Sequence, residues 1–212
     1  MKYVGMPQGM WMLFKRSFKY NLSSVLGFEK EEAAQISKAA KIKYKEIIAS
    51  LPEFEKGDRF KMNIVNCAML SSFYLNMKKK PTAAQMTRYY RESMMTGVVK
   101  LFCRRSGRRT FTEKYIDGMK KTARFRAADR NRYSWNMEFY PYSDGSGYEA
   151  RFDRCGICTL MSELGISELV PAMCALDYTM TDAGGTAVFV RKYTLASGGP
   201  YCDCGYKKKV KS

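Results

Sequence analysis

Three observations predict an α+β fold. Apolar residues recur at helical spacing from the N-terminus to about residue 132, aromatic and β-branched runs separated by Gly, Ser and Asp follow, and tight turns join consecutive runs. The expectation is an N-terminal helical region, 1–132, packed with a C-terminal α+β region, 133–212, the two forming one compact unit. Strands joined by tight turns pair antiparallel, so the sheet of about four strands should be largely antiparallel, with short helices on one face.

The first helix is predicted from Met10 to Leu26, ended by Gly27. In the second, Ala33, Ile36, Ala40, Tyr44, Ile47, Ile48 and Leu51 form one stripe, and Pro52 stops it. Met62 to Met77 is apolar nearly all round, as a helix buried by its neighbours would be, and Cys67 reads there as core filling. Pro81 suits the first turn of a fourth helix running to about Cys103. Arg104 to Arg109 reads as an arginine-rich loop, and Thr112 as the N-cap of a fifth helix to about Arg130.

Ser134–Tyr142 and Tyr148–Phe152 flank Ser-Asp-Gly-Ser-Gly, the pattern of a β-hairpin. A short helix from Cys155 to Leu164 is ended by Gly165, and another is predicted from Ser167 to Ala175, with Pro171 opposing a regular interior. Asp182 to Gly185 reads as a turn into a strand from Thr186 to Thr194. After the small-residue loop Ala196–Pro200 comes a last strand, Tyr201 to Tyr206, and Lys207 to Ser212 reads as a solvated tail.

Composition narrows the chemistry. The chain has 212 residues, 46% of them apolar, which is enough to build a core without staples. Met10 to Phe14 is too short for a secretory or membrane-spanning segment, and seven cysteines in a chain this size read as thiols, so the expectation is a cytoplasmic protein with no membrane partner. Histidine is absent, which excludes imidazole bases, histidine-bound zinc and Ser-His or Cys-His pairs. Carboxylates, thiols, tyrosines or lysines must move any protons.

The net charge of +17 is unevenly placed. Residues 1–134 hold 29 Lys+Arg and 11 Asp+Glu, net +18, against 8 and 9, net −1, from 135 on. The basic surface reads as solvated helix faces, because no nucleic-acid motif accompanies it, and a nucleic-acid partner is disfavoured.

Candidate chemistry concentrates between Cys174 and Cys204. Cys174 and Asp177 lie three apart at a predicted helix end and share a face. Arg191 and Thr194 sit on a strand, and consecutive amides at Ser197 and Gly198 could form an anion nest. Cys155, Cys158, Cys202 and Cys204 supply four thiols, the number a structural zinc needs, although the Cys-Asp-Cys spacing is unusual for one. No other cofactor is implied.

Cys-Ala-Leu-Asp-Tyr at 174–178, Arg-Lys-Tyr-Thr-Leu-Ala-Ser-Gly-Gly at 191–199 and Cys-Asp at 202–203 resemble the L-2-amino-thiazoline-4-carboxylic acid hydrolase family. The resemblance covers the C-terminal half, including Cys155. Two positions depart from it: Cys158 follows Gly-Ile where a proline after the first cysteine is frequent, and Cys204 stands where an aromatic is usual. By resemblance, Cys174, Asp177, Arg191, Thr194, Cys202 and Asp203 match the family pattern. The resemblance implies hydrolysis of a carbon–nitrogen or carbon–sulfur bond in a small cyclic amidine-like amino acid carrying a carboxylate. Asp177 or Asp203 would then be the base, Cys174 or Cys202 a nucleophile and Arg191 the carboxylate anchor, with Thr194, Ser197 and Gly198 orienting the substrate. The layout is also similar to vinyl-reductase-type domains that bind small molecules, which makes a binding module the alternative.

Overall fold

Pro7 opens the first helix, α1 (Met6–Ser24), in the first turn, where a missing N–H breaks no helical hydrogen bond. The computed structural model describes residues 1–210. Trp11, Phe14, Phe18 and Leu22 form the buried stripe of α1. Gly27, with φ 76°, ends it, and the Phe28 N–H reaches back to the Leu22 carbonyl. Helix α2 (Lys30–Ser50) buries the stripe predicted for it and stops before Pro52. Helix α3 (Lys61–Leu75) is buried continuously from Ile64 to Tyr74, Cys67 included.

The predicted helix from Pro81 to Cys103 is two helices. Thr82 and Gln85 close a capping box at the start of α4 (Ala83–Met94), and the chain resumes as α5 (Gly97–Gly107) after a break at Met95 and Thr96. The Thr96 N–H donates locally to the Met94 carbonyl, and Gly97 is a poor residue through which to carry a helix. Arg104 and Arg105 are helical rather than loop, in the last turn of α5, where cations oppose the negative helix end.

The described chain forms two compact units, neither continuous in sequence. One comprises 1–96 and 156–174, the other 97–155 and the chain from Ala175 on. In the first unit, Phe73 of α3 lies 5.8 Å from Trp11 and 5.1 Å from Phe18 between ring centroids. Helix α7 (Gly156–Glu163) packs on α3, burying Ile157, Leu160 and Met161.

The second unit holds α5, α6 (Glu113–Ala127) and an antiparallel sheet of β1 (Glu138–Pro141), β2 (Gly147–Phe152), β3 (Ala187–Val190) and β4 (Cys202–Lys208). The strand order is β1-β2-β4-β3. Thr112 caps α6 as predicted, its hydroxyl accepting from the Tyr115 N–H. Buried Arg126 donates from Nε to the Trp135 carbonyl, 2.9 Å, and pairs with Asp129, which fixes the connection into β1. In β2 the buried residues are Tyr148, Ala150 and Phe152, and their partners in β4 are Tyr206, Cys204 and Cys202. One sheet face therefore carries these six side chains.

Three further boundaries depart from expectation. A 3₁₀ turn, Ser167–Leu169, runs into α8 (Val170–Gly184), and Pro171 sits in the first turn of α8, where it is tolerated. The helix therefore continues through the expected turn at Asp182, until Gly185 takes φ 77°. Strand β3 stops at Val190 instead of Thr194, while β4 runs on to Lys208, two residues into the expected tail. Residues 211 and 212 of that tail lie outside the described residues. Among the described residues no helix is long and apolar enough to cross a membrane.

Candidate active site

Asp203 explains why β3 ends early. Its carboxylate accepts the backbone N–H groups of Lys192 (2.8 Å) and Tyr193 (2.6 Å), so both donors go to a side chain instead of continuing a ladder. Asp203 faces away from Cys202 and Cys204, as the period of two in β4 requires. It is buried, and it holds the segment after β3 in place.

Arg191 lies just beyond the end of β3, two residues after buried Phe189, and its guanidinium carbon stands 4.6 Å from the Phe189 ring centroid. One terminal nitrogen donates to Oδ2 of Asp177 at 2.6 Å and to Sγ of Cys204 at 2.9 Å. The Arg191 side chain is 6% exposed and that of Asp177 42%. A buried cation thus holds a carboxylate that solvent still reaches.

What Asp177 reaches is a cavity of about 160 Å³ within the second unit. Tyr148 and Tyr206 line it from the sheet, Ser106 and Thr110 from α5 and the turn after it, and Thr181 from α8, one turn beyond Asp177. Among the described residues Asp177 is the one charged side chain on its lining. Gly107 allows the wall to close, since a Cβ there would lie 2.5 Å from the Gly184 carbonyl oxygen. The Thr186 hydroxyl donates to the Gly107 carbonyl at 2.7 Å and fastens the same corner.

Although solvent reaches part of the Asp177 carboxylate, the protein packed around it withdraws enough water to shift its protonation. This burial raises the Asp177 carboxyl above the ordinary range, and Arg191 pulls in the opposite direction without cancelling it. The Cys204 thiol is pushed up to about 12 by burial, against the pull of Arg191. Burial also raises Cys202, partly offset by the Leu195 N–H, which donates to its sulfur at 3.2 Å. Burial and then the Asp177 charge hold the Tyr206 phenol well above its usual value. For Arg191, burial opposes the charge, but Cys204 and Asp177 outweigh it and the guanidinium stays protonated. The arrangement can hold, give or take one proton at Asp177, inside a shell of neutral hydroxyls and thiols.

The loop after Arg191 is closed on itself. The Thr194 hydroxyl accepts from the Ser197 N–H at 3.1 Å, and the Gly198 and Gly199 N–H groups donate to the Leu195 and Thr194 carbonyls. The amides considered for an anion nest are engaged within the loop. Cys174 is half-buried on α8, one turn before Asp177, and belongs to the first unit. Cys158 is also in the first unit, whereas Cys155, Cys202 and Cys204 are in the second. Among the described residues no group of three or more Cys, Asp or Glu is placed to hold a metal ion, so the four-thiol zinc alternative is not assembled.

Of the residues singled out from sequence, Asp177, Arg191 and Cys204 meet directly, and Asp203 and Cys202 support the chain around them. Tyr148, Tyr206, Thr181, Ser106 and Thr110 were missed. Two of them were within reach of periodicity, since Tyr206 follows Cys204 by two on one strand and Thr181 follows Asp177 by four on one helix. Ser106 carried no signal inside a run of arginines.

Fold and cavity define an α+β protein in which helices and an antiparallel sheet enclose a single carboxylate among tyrosines and hydroxyls. A family model described as L-2-amino-thiazoline-4-carboxylic acid hydrolase matches residues 62–206, and the chain belongs to that family. The matched stretch runs from α3 to Tyr206 and so extends well before the C-terminal motifs. No curated protein and no solved structure matches the chain.

Proposed function

We propose that the protein hydrolyses a small cyclic amidine-like amino acid, with L-2-amino-thiazoline-4-carboxylate as the substrate the family description suggests, and that Asp177 is the base. The carrying observation is the Asp177 carboxylate, tied to buried Arg191 and open to the cavity. A cavity of about 160 Å³ suits a single small ring.

In this reading water adds to the ring carbon between nitrogen and sulfur while Asp177 takes its proton. The tetrahedral adduct collapses by breaking the carbon–sulfur or the carbon–nitrogen bond as its hydroxyl becomes the new carbonyl; the proton held by Asp177 passes to the departing atom, and the hydroxyl proton ends on the ring nitrogen. Carbon–sulfur rupture leaves a ureido group and a free thiol; carbon–nitrogen rupture leaves a thiocarbamate and a free amine. Arg191 positions the base and favours its ionised form, because its guanidinium donates to Asp177 and Cys204. Ser106, Thr110 and Thr181 are the hydroxyls available to orient the ring and its carboxylate. Cys202 and Cys204, held as thiols by burial, pack the site without attacking the substrate.

The test is incubation of the purified protein with L-2-amino-thiazoline-4-carboxylate, following ring loss and titrating new thiol and new amine separately. Turnover that falls about a hundredfold or more in D177N supports the assignment. Thermal stabilisation by the compound without any product identifies a binding module instead.

A further inference from the structure

Helix α5 buries little of its surface. Cys103 is its one buried residue, while Val98, Leu101 and Phe102 are 62%, 50% and 55% exposed. Positions 98, 101, 102 and 105 lie at steps of one turn or less on a single face, which groups the three large apolar side chains with Arg105. Single exposed apolar residues need no explanation, but three on one short helix face do.

The surrounding charge is of one sign. Lys100, Arg104, Arg105, Arg108 and Arg109 are all exposed, and no carboxylate occurs between Glu92 and Glu113. Helix α6 is also mainly basic on its exposed surface, with Lys114, Lys120, Lys121 and Arg124 against Glu113 and Asp117, and Phe125 is 50% exposed. A second copy of the chain is a poor occupant for this face, because two-fold pairing would set five cations against five. A nucleic acid would match the cations and leave Val98 and Leu101 without a partner.

We propose that α5 docks flat on a membrane surface rich in anionic phospholipid. Val98, Leu101 and Phe102 enter the boundary between headgroups and acyl chains, and Arg104, Arg105, Arg108 and Arg109 meet the lipid phosphates. Arg105, placed among the apolar residues, extends its head to the phosphate level while its stem stays in the apolar layer. At eleven residues the helix lies on the bilayer and does not span it. This inference is independent of the reaction proposed above.

The test is co-sedimentation of the full chain with vesicles of phosphatidylcholine alone and of phosphatidylcholine with roughly a third phosphatidylglycerol. The expected result is pelleting with the anionic vesicles only, abolished by raising salt from about 0.05 to about 0.5 M. The double variant R104E/R105E should lower partitioning about tenfold or more. V98S/L101S should lower it comparably at fixed salt, and both variants should keep the wild-type thermal melt; Phe102 is left intact because it also lines the cavity. No pelleting at low salt, equal pelleting with neutral vesicles, or pelleting that survives both double variants overturns the proposal. So does binding of duplex DNA or RNA by a protein that leaves vesicles untouched, or a dimer of the free protein that V98S/L101S dissolves with no change in vesicle binding.

Discussion

Arg191 and Asp177 meet at 2.6 Å with unequal exposure, the guanidinium sealed and the carboxylate facing a cavity. That asymmetry separates a reacting group from the group that tunes it. Arg191 favours the ionised carboxylate and opposes burial, so its removal should raise the Asp177 pKa further, toward the value burial alone produces. A base works only when ionised, and activity is lost as pH falls through its pKa. In R191M the acidic limb of the rate profile should therefore move to higher pH, measured as kcat/KM against pH. An unmoved limb would show that Asp177 is not the titrating base.

The same carboxyl leaves a mark on stability. Its folded pKa lies above the ordinary carboxylate value, so the folded state holds this proton more tightly than the unfolded chain. The resulting contribution is full below the unfolded pKa and disappears as pH rises through the folded one. Urea midpoints of wild type and D177N, compared across that window, should show wild type losing ground as pH rises. A constant difference would mean that the carboxyl is not shifted.

Cys204 should be inert in the folded protein. Its thiol is pushed up to about 12, which leaves almost no thiolate at neutral pH. Iodoacetamide should fail to label it natively and label it fully in urea, as read by peptide mass. C204A should keep activity within about tenfold of wild type, since the thiol only accepts a hydrogen bond from Arg191. A loss as large as that in D177N would make the sulfur a participant.

Asp203 illustrates where sequence reading stopped short. The stripe of α2 and the all-round burial of α3 could be read directly, because both are written in local spacing, and so could the β1–β2 hairpin at its Ser-Asp-Gly-Ser-Gly turn. The early end of β3 could not, since a residue eleven positions away captures the Lys192 N–H. Cys174, Asp177, Arg191 and Asp203 stood together as one motif; Asp177 and Arg191 share a hydrogen bond, while the Asp203 carboxylate accepts from the Lys192 and Tyr193 amides. Strand alternation puts Asp203 on the opposite sheet face, and the glycine contact under α5 is likewise tertiary. D203A strands two buried donors and should cost about 2–4 kcal/mol, with D203N costing less because its amide oxygen still accepts. Denaturant unfolding distinguishes the two; equal and negligible losses would remove the anchoring role.

Gly107 makes the sharpest geometric demand on the cavity. A methyl there would stand 2.5 Å from the Gly184 carbonyl oxygen, and that obstacle is backbone, which cannot rotate away as a side chain would. Helix α5 would have to lift from α8, carrying Ser106 and the Thr186 hydrogen bond with it. G107A should destabilise by about 1–3 kcal/mol, the usual range for overpacking. It should also raise KM more than it lowers kcat if the cavity holds the substrate, because the wall moves while Asp177 and Arg191 keep their pairing. The opposite split, with kcat lost and KM unchanged, would place the wall in the chemical step rather than in binding.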